Sequence, residues 1–195
     1  MTRRWISPLI PAAMLGGCAT AVAPVDVTRF HTGGVPTTGT VALAPAPGID
    51  GSAIEYRTYA NAVAVALTRT GFTVAEPGSA ARLTATVGYD VAVQRPYERG
   101  SPVSVGVGGA TGSYGSGVGL GIGINLSGRP KPVIATRLSV RLSRSGTREA
   151  LWEGRAETAA KEGTPAAQRG MAAAKLADAL FRDYPGQSGA TITVR

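Results

Sequence analysis

The sequence predicts an α+β domain, an antiparallel or mixed sheet with two helices packed on one face, plus a glycine-rich β-hairpin insert. Three observations carry that prediction. Residues 83–93 and 132–144 alternate apolar and polar side chains with period two, the mark of a half-buried strand. Two stretches, 56–67 and 173–181, instead repeat their apolar residues at helical spacing. Between the alternating stretches lie residues 100–129, which differ in composition from everything around them. Each helix has one apolar stripe to bury, so both are placed on the same face of the sheet.

In chain order, Val25 to Phe30 opens the domain as a strand, and the Gly33, Gly34, Pro36 turn chemistry separates it from a second strand, Thr40 to Ala44. Ser52 and Glu55 are spaced as a capping box and predict a helix start. Tyr56, Tyr59, Ala60, Val63 and Leu67 form its apolar face, and Gly71 with Phe72 supplies a left-handed stop. Leu83 to Val93 is the next strand. Pro132 to Arg144 turns through Ser145-Gly146 into Ala150 to Thr158 as a hairpin. Thr164-Pro165 reads as N-cap and first position of a second helix, with Ala173, Leu176, Ala177, Leu180 and Phe181 facing the core and Lys175, Asp178 and Arg182 facing water. Ala190 to Val194 closes the sheet.

In the insert, Val103, Val105 and Val107 precede a turn-rich span from Gly108 to Gly117, after which Val118, Leu120, Ile122, Ile124 and Leu126 alternate with glycine and asparagine. Three uses are open to such a hairpin. It extends the sheet, with a glycine face admitting close backbone approach; it self-associates through a sticky, uncharged edge; or it enters a membrane, since nine or so alternating residues match a transmembrane strand. Neither Gly-Lys-Ser/Thr nor Gly-x-Gly-x-x-Gly occurs where a phosphate loop needs it, so nucleotide binding is rejected.

The chain's start is organised around Leu15, Gly16, Gly17 and Cys18. Arg3 and Arg4 precede a short apolar run from Trp5, and small residues follow, as in a secretory signal. The run is too short for a spanning helix, which needs about 20 apolar residues, and Pro8 and Pro11 interrupt it. The expected organisation is a signal peptide over residues 1–17 cut between Gly17 and Cys18, a lipidated N-terminus and tether over 18–24, and a single domain over 25–195. Cys18 is the only cysteine, so no disulfide competes for it. An ordinary signal peptide with an incidental cysteine is the alternative.

The formal net charge is +8, and Arg3 and Arg4 leave with the signal. In an exported protein such a balance points to anionic phospholipid or lipopolysaccharide rather than nucleic acid as a partner, and charge spread over the surface for solubility is the more ordinary account. Arg137 and Arg141 share the polar face of their strand and are the candidate anion contacts, spaced to grip a phosphate pair; a solvated strand face is the plainer account. No catalytic set and no metal site is expected. His31 is the only histidine, the Gly-x-Ser-x-Gly and His-Glu-x-x-His patterns are missing, and Asp90 sits on an exposed strand face.

Leu15-Gly16-Gly17-Cys18 looks like the lipobox of bacterial lipoproteins. Together with the insert, the strand Leu151-Trp152-Glu153-Gly154-Arg155-Ala156 and the helix end Phe181-Arg182-Asp183-Tyr184-Pro185, it resembles the bacterial lipoproteins of the DUF4136 family, a domain of unknown function. The resemblance covers most of the chain after Cys18 and implies a diacylglycerol thioether and an N-acyl chain on Cys18 and no other cofactor. Ala19 in place of aspartate implies outer-membrane sorting, with the domain facing the periplasm. The family brings no catalytic or binding residues. Three functions are therefore expected in order: a non-enzymatic, lipid-anchored envelope module that binds an envelope partner or itself through residues 100–129; an oligomeric pore or secretion component built from the hairpins; and an envelope hydrolase using His31 and Asp90. Trp152 and Phe181 are expected to pack the core between sheet and helices.

Overall fold

The computed structural model describes residues 23–95, 103–112, 115–124, 131–147 and 149–195. The expected signal peptide, the expected lipobox Leu15, Gly16, Gly17 and Cys18, and most of the expected tether lie outside the described residues.

Among the described residues, nine strands and two α-helices follow one another as β1 (Val25–His31), β2 (Gly39–Pro45), α1 (Ile54–Thr70), β3 (Phe72–Val74), β4 (Leu83–Gln94), β5 (Val103–Gly112), β6 (Gly115–Ile124), β7 (Val133–Arg144), β8 (Ala150–Lys161), α2 (Arg169–Phe181) and β9 (Thr191–Val194). Seven strands form one mixed sheet in the order β3-β2-β4-β7-β8-β1-β9. β2 pairs in parallel with both β3 and β4, while the remaining pairs are antiparallel. Both edges are short, β3 with three residues and β9 with four, which leaves little backbone for another chain to pair with.

The core lies between this sheet and the helices. Alternation puts Leu83, Ala85 and Val87 of β4, Leu138, Val140 and Leu142 of β7, and Trp152 and Ala156 of β8 under the helices. Helix α1 answers with Tyr56, Tyr59, Ala60, Val63 and Leu67, and α2 with Ala173, Leu176, Ala177, Leu180 and Phe181. The α+β prediction holds, as do the apolar faces read from spacing. Arg69 to Asp178, 2.7 Å apart, and Arg169 to Glu55, 2.6 Å apart, bridge the two helices at either end, so they run in the same direction.

Four local expectations are corrected. The capping box does not form: α1 is capped by Ala53 without a side-chain bond, because Ser52 donates both its amide (2.8 Å) and its hydroxyl (2.7 Å) to Asp50. Glu55 is held by Arg169 instead. Phe72, read only as a contact beyond the helix stop, also begins β3; Gly71, at φ 112°, turns the chain straight into that strand. Thr164 heads only a 3-10 turn, Pro165–Ala167, and α2 starts afterwards from Gln168, since the Thr164 hydroxyl is spent as a donor to the Lys161 carbonyl. Lys175, expected in water, is half-buried with its ammonium enclosed, and burial lowers its pKa.

Candidate functional site

Three regions of the domain carry residues singled out by the sequence. The first is the end of the sheet where β8 begins and α2 stops. Trp152 and Phe181 lie with ring centroids 5.4 Å apart, Trp152 and Tyr184 5.2 Å, and Phe72 meets Tyr184 edge-on at 5.7 Å. Gly154 makes the room: two residues beyond Trp152 on the same face, its own Cβ would overlap the indole and stand 2.7 Å from Leu180 Cδ1. The Trp152 indole donates to the Pro185 carbonyl (3.0 Å), and the Tyr184 hydroxyl donates to that of Pro36 (3.1 Å). The Tyr184–Pro185 bond is cis. Burial pushes the Tyr184 phenol well above its usual range.

Beneath this cluster Arg29 is 3% exposed. Its Nε donates to the Leu180 carbonyl (3.0 Å), and its Nη2 donates to those of Ala179 (3.0 Å) and Arg182 (2.8 Å). Carbonyls at a helix C-terminus have no intrahelical partner, so a guanidinium buried there satisfies them and meets the negative end of the helix dipole. Desolvation lowers the Arg29 pKa, opposed by the Asp183 carboxylate. Sequence reading passed over Arg29, although its parity with Val25 and Val27 marks it as inward-facing. His31 lies alongside, its Nε2 3.0 Å from the Gly186 carbonyl and its amide donating to the Ser188 hydroxyl (2.9 Å). Asp90 is not brought near it. Asp90 stands in the row of Arg137 and Glu157, five residues of β8 from the Trp152 row that holds His31, or about 17 Å.

The second region is the sheet face turned away from the helices. Arg137 Nε donates to Glu157 (2.7 Å), and Arg141 lies 3.3 Å from Glu153. The hydrogen bond to Glu157, with its charge, raises the Arg137 pKa. Asp90 flanks Arg137 from β4. The candidate anion contacts thus share a face, each beside a carboxylate. Four residues of strand separate them, about 13 Å along the backbone. A groove of about 280 Å³ runs beside Arg141 and Phe30.

The third region is the insert. It leaves the sheet between β4 and β7, where Gln94 pairs with Val133. β5 and β6 pair antiparallel from Val103↔Ile124 to Gly112↔Gly115. The hairpin is longer at its tip than expected, since 108–112 and 115–117 are strand rather than turn, and its expected end at Leu126 lies outside the described residues. It makes its own two-stranded sheet rather than extending the large one. The reason is topological: β4 and β7 are already each other's neighbours, so no free edge exists where the insert departs.

Among the described residues, no group of three His, Cys, Asp or Glu could hold a metal ion, and no helix is long and apolar enough to cross a membrane. The profile of the DUF4136 domain of unknown function matches residues 25–186. An uncharacterized protein of Zymomonas mobilis subsp. mobilis is 32% identical over 218 residues, covering 90% of this chain and 82% of its own. Among solved structures, a PDZ domain protein from Parabacteroides distasonis aligns at 9% identity and TM-score 0.48 over 88% of this chain, which spans only 39% of that protein. The PelC dodecamer from Paraburkholderia phytofirmans aligns at 11% identity and TM-score 0.39, covering 80% of this chain and 93% of its own.

Proposed function

This chain belongs to the DUF4136 family, and on that footing we propose that it is a lipid-anchored lipoprotein of the bacterial envelope, a non-enzymatic module whose insert is its contact surface. One observation carries the reading. The lone cysteine closes Leu15-Gly16-Gly17-Cys18, and both β1 and the family match begin at residue 25, only seven residues later. The position that would be modified thus lies seven residues from the first strand. Acyl chains on Cys18, two or three in number, hold such a domain to a membrane far more firmly than a single chain does. Ala19 supports outer-membrane residence with the domain in the periplasm. Metabolic labelling with an alkyne palmitate tests the anchor. Label should enter the native chain and vanish in Cys18→Ala; a native chain that takes no label overturns the reading.

A pore or secretion component is a second reading, supported by the two ten-residue strands of the insert, each the length of a transmembrane β-strand. Detergent-resistant oligomers and a protease-protected hairpin in membranes are its required signs. A monomer with a freely digested hairpin removes it.

A further inference from the structure

The tether and the insert emerge from the same end of the sheet. Val25 pairs with Thr158, Thr158 with Thr136, and Thr136 with Val91, so the start of β1 lies in one cross-strand row with the late part of β4. Three residues further on, Gln94, Val133 and Lys161 form the last row, and the insert departs from it. Both helices begin at this end as well. Tyr59 of α1 stacks on Tyr89 of β4 at 4.5 Å, α2 follows the end of β8, and the Arg169–Glu55 bridge ties their first turns.

This end also has an unusual surface. Ile54 is 77% exposed, Met171 58% and Val93 50%, three of the six large apolar side chains left in the open among the described residues. Ile54 and Met171 stand in the first turns of α1 and α2, and Val93 next to the last row of the sheet. Exposed Arg95, Lys131 and Lys161 gather at that row with Glu162 beside them, while exposed Asp50 lies towards Tyr89 ahead of α1. Apolar side chains ringed by cations suit a bilayer interface, where the first enter the headgroup region and the second meet lipid phosphates. A seven-residue tether, extended, spans at most about 25 Å, so the same end is the one held nearest the acyl chains.

We propose that this end of the domain rests on an anionic lipid leaflet, with Ile54, Val93 and Met171 dipping among the headgroups and Arg95, Lys131 and Lys161 paired with their phosphates. The inference rests on the envelope reading and names the bilayer as the component contacted. The insert is thereby delivered to the lipid surface, and the Trp152 end of the sheet faces away from it.

The test removes the lipid and asks whether the surface still finds a membrane. Residues 18–195 with Cys18→Ser contain no other cysteine, so an environment-sensitive dye can be placed singly through Ile54→Cys, Val93→Cys, Met171→Cys and, as a control at the opposite end, Thr147→Cys. With phosphatidylglycerol–phosphatidylethanolamine vesicles, emission at 54, 93 and 171 should rise about threefold and shift to the blue while 147 stays unchanged. Combining Arg95→Glu, Lys131→Glu and Lys161→Glu should weaken vesicle flotation at least tenfold with the thermal midpoint preserved. Dyes indifferent to vesicles overturn the proposal. So do equal responses at 147, or responses that follow protein concentration without lipid, which would mark self-association. Palmitate labelling of the native chain is read separately, so failure here is distinct from failure of the anchor.

Discussion

The two ends of the sheet are built on opposite terms. Around Trp152 the packing is closed. The indole, the Tyr184 hydroxyl and the Arg29 guanidinium each have a backbone carbonyl to donate to, and Gly154 and Gly186 have no room for a Cβ. At the tether end the helices start from Ala53 and Gln168 without side-chain caps, and Ile54 and Met171 stand in the open. Two of the four features that carry the family resemblance, Leu151-Trp152-x-Gly154 and Phe181-x-x-Tyr184-Pro185, belong to the closed end. A sequence signature can therefore report what holds a domain together while saying nothing of what the domain touches.

The sharpest way to break this comparison is Trp152→Ala. Trp152 is fully buried and touches the rings of Phe181 and Tyr184, so its loss should cost about 3–5 kcal/mol in urea denaturation, as large aromatic truncations do. A cost below about 1 kcal/mol would mean the closed end is not the stabilising one. Arg29→Met comes next. It keeps much of the volume but leaves the carbonyls of Ala179, Leu180 and Arg182 without their shared donor, at about 3 kcal/mol. Amide hydrogen exchange should show the last turn of α2 opening first.

Much of this fold was legible because parity and helical spacing are local. Leu83, Ala85 and Val87, or Leu138, Val140 and Leu142, declare a buried face without knowledge of what covers it. The misreadings arose where a second partner intervened. Asp50 took Ser52 from the cap, Arg169 took Glu55, and the Lys161 carbonyl took Thr164. β3 escaped notice because three residues are too few to show a period, and Leu151 is an extra residue beside the Leu142/Ser143 register shift, which alternation alone does not reveal. The tether-end surface was invisible for another reason: Ile54, Val93 and Met171 are far apart in sequence, and only strand register and helix direction bring them to one end.

The smallest expected effect separates two tyrosines, one from each end. The Tyr184 hydroxyl donates to Pro36, whereas that of Tyr59, beneath the Glu55–Arg169 bridge, is buried with no hydrogen-bond partner among the described residues. Tyr184→Phe should cost about 1 kcal/mol, and Tyr59→Phe should be neutral or stabilise by up to about 1 kcal/mol, since it removes an unsatisfied polar atom. Both phenols also carry a dependence on high pH, since burial raises each. Burial, reinforced by Glu55, pushes the Tyr59 phenol up to about 12. The unfolded chain ionises this group near pH 10 and the folded chain does not, so its stabilising contribution is whole below pH 10 and falls away between pH 10 and 12. Tyr59→Phe should flatten that decline in thermal midpoint while leaving the neutral plateau in place. A variant that loses stability already at neutral pH would show that the Tyr59 hydroxyl has a partner after all, as the Tyr184 hydroxyl does.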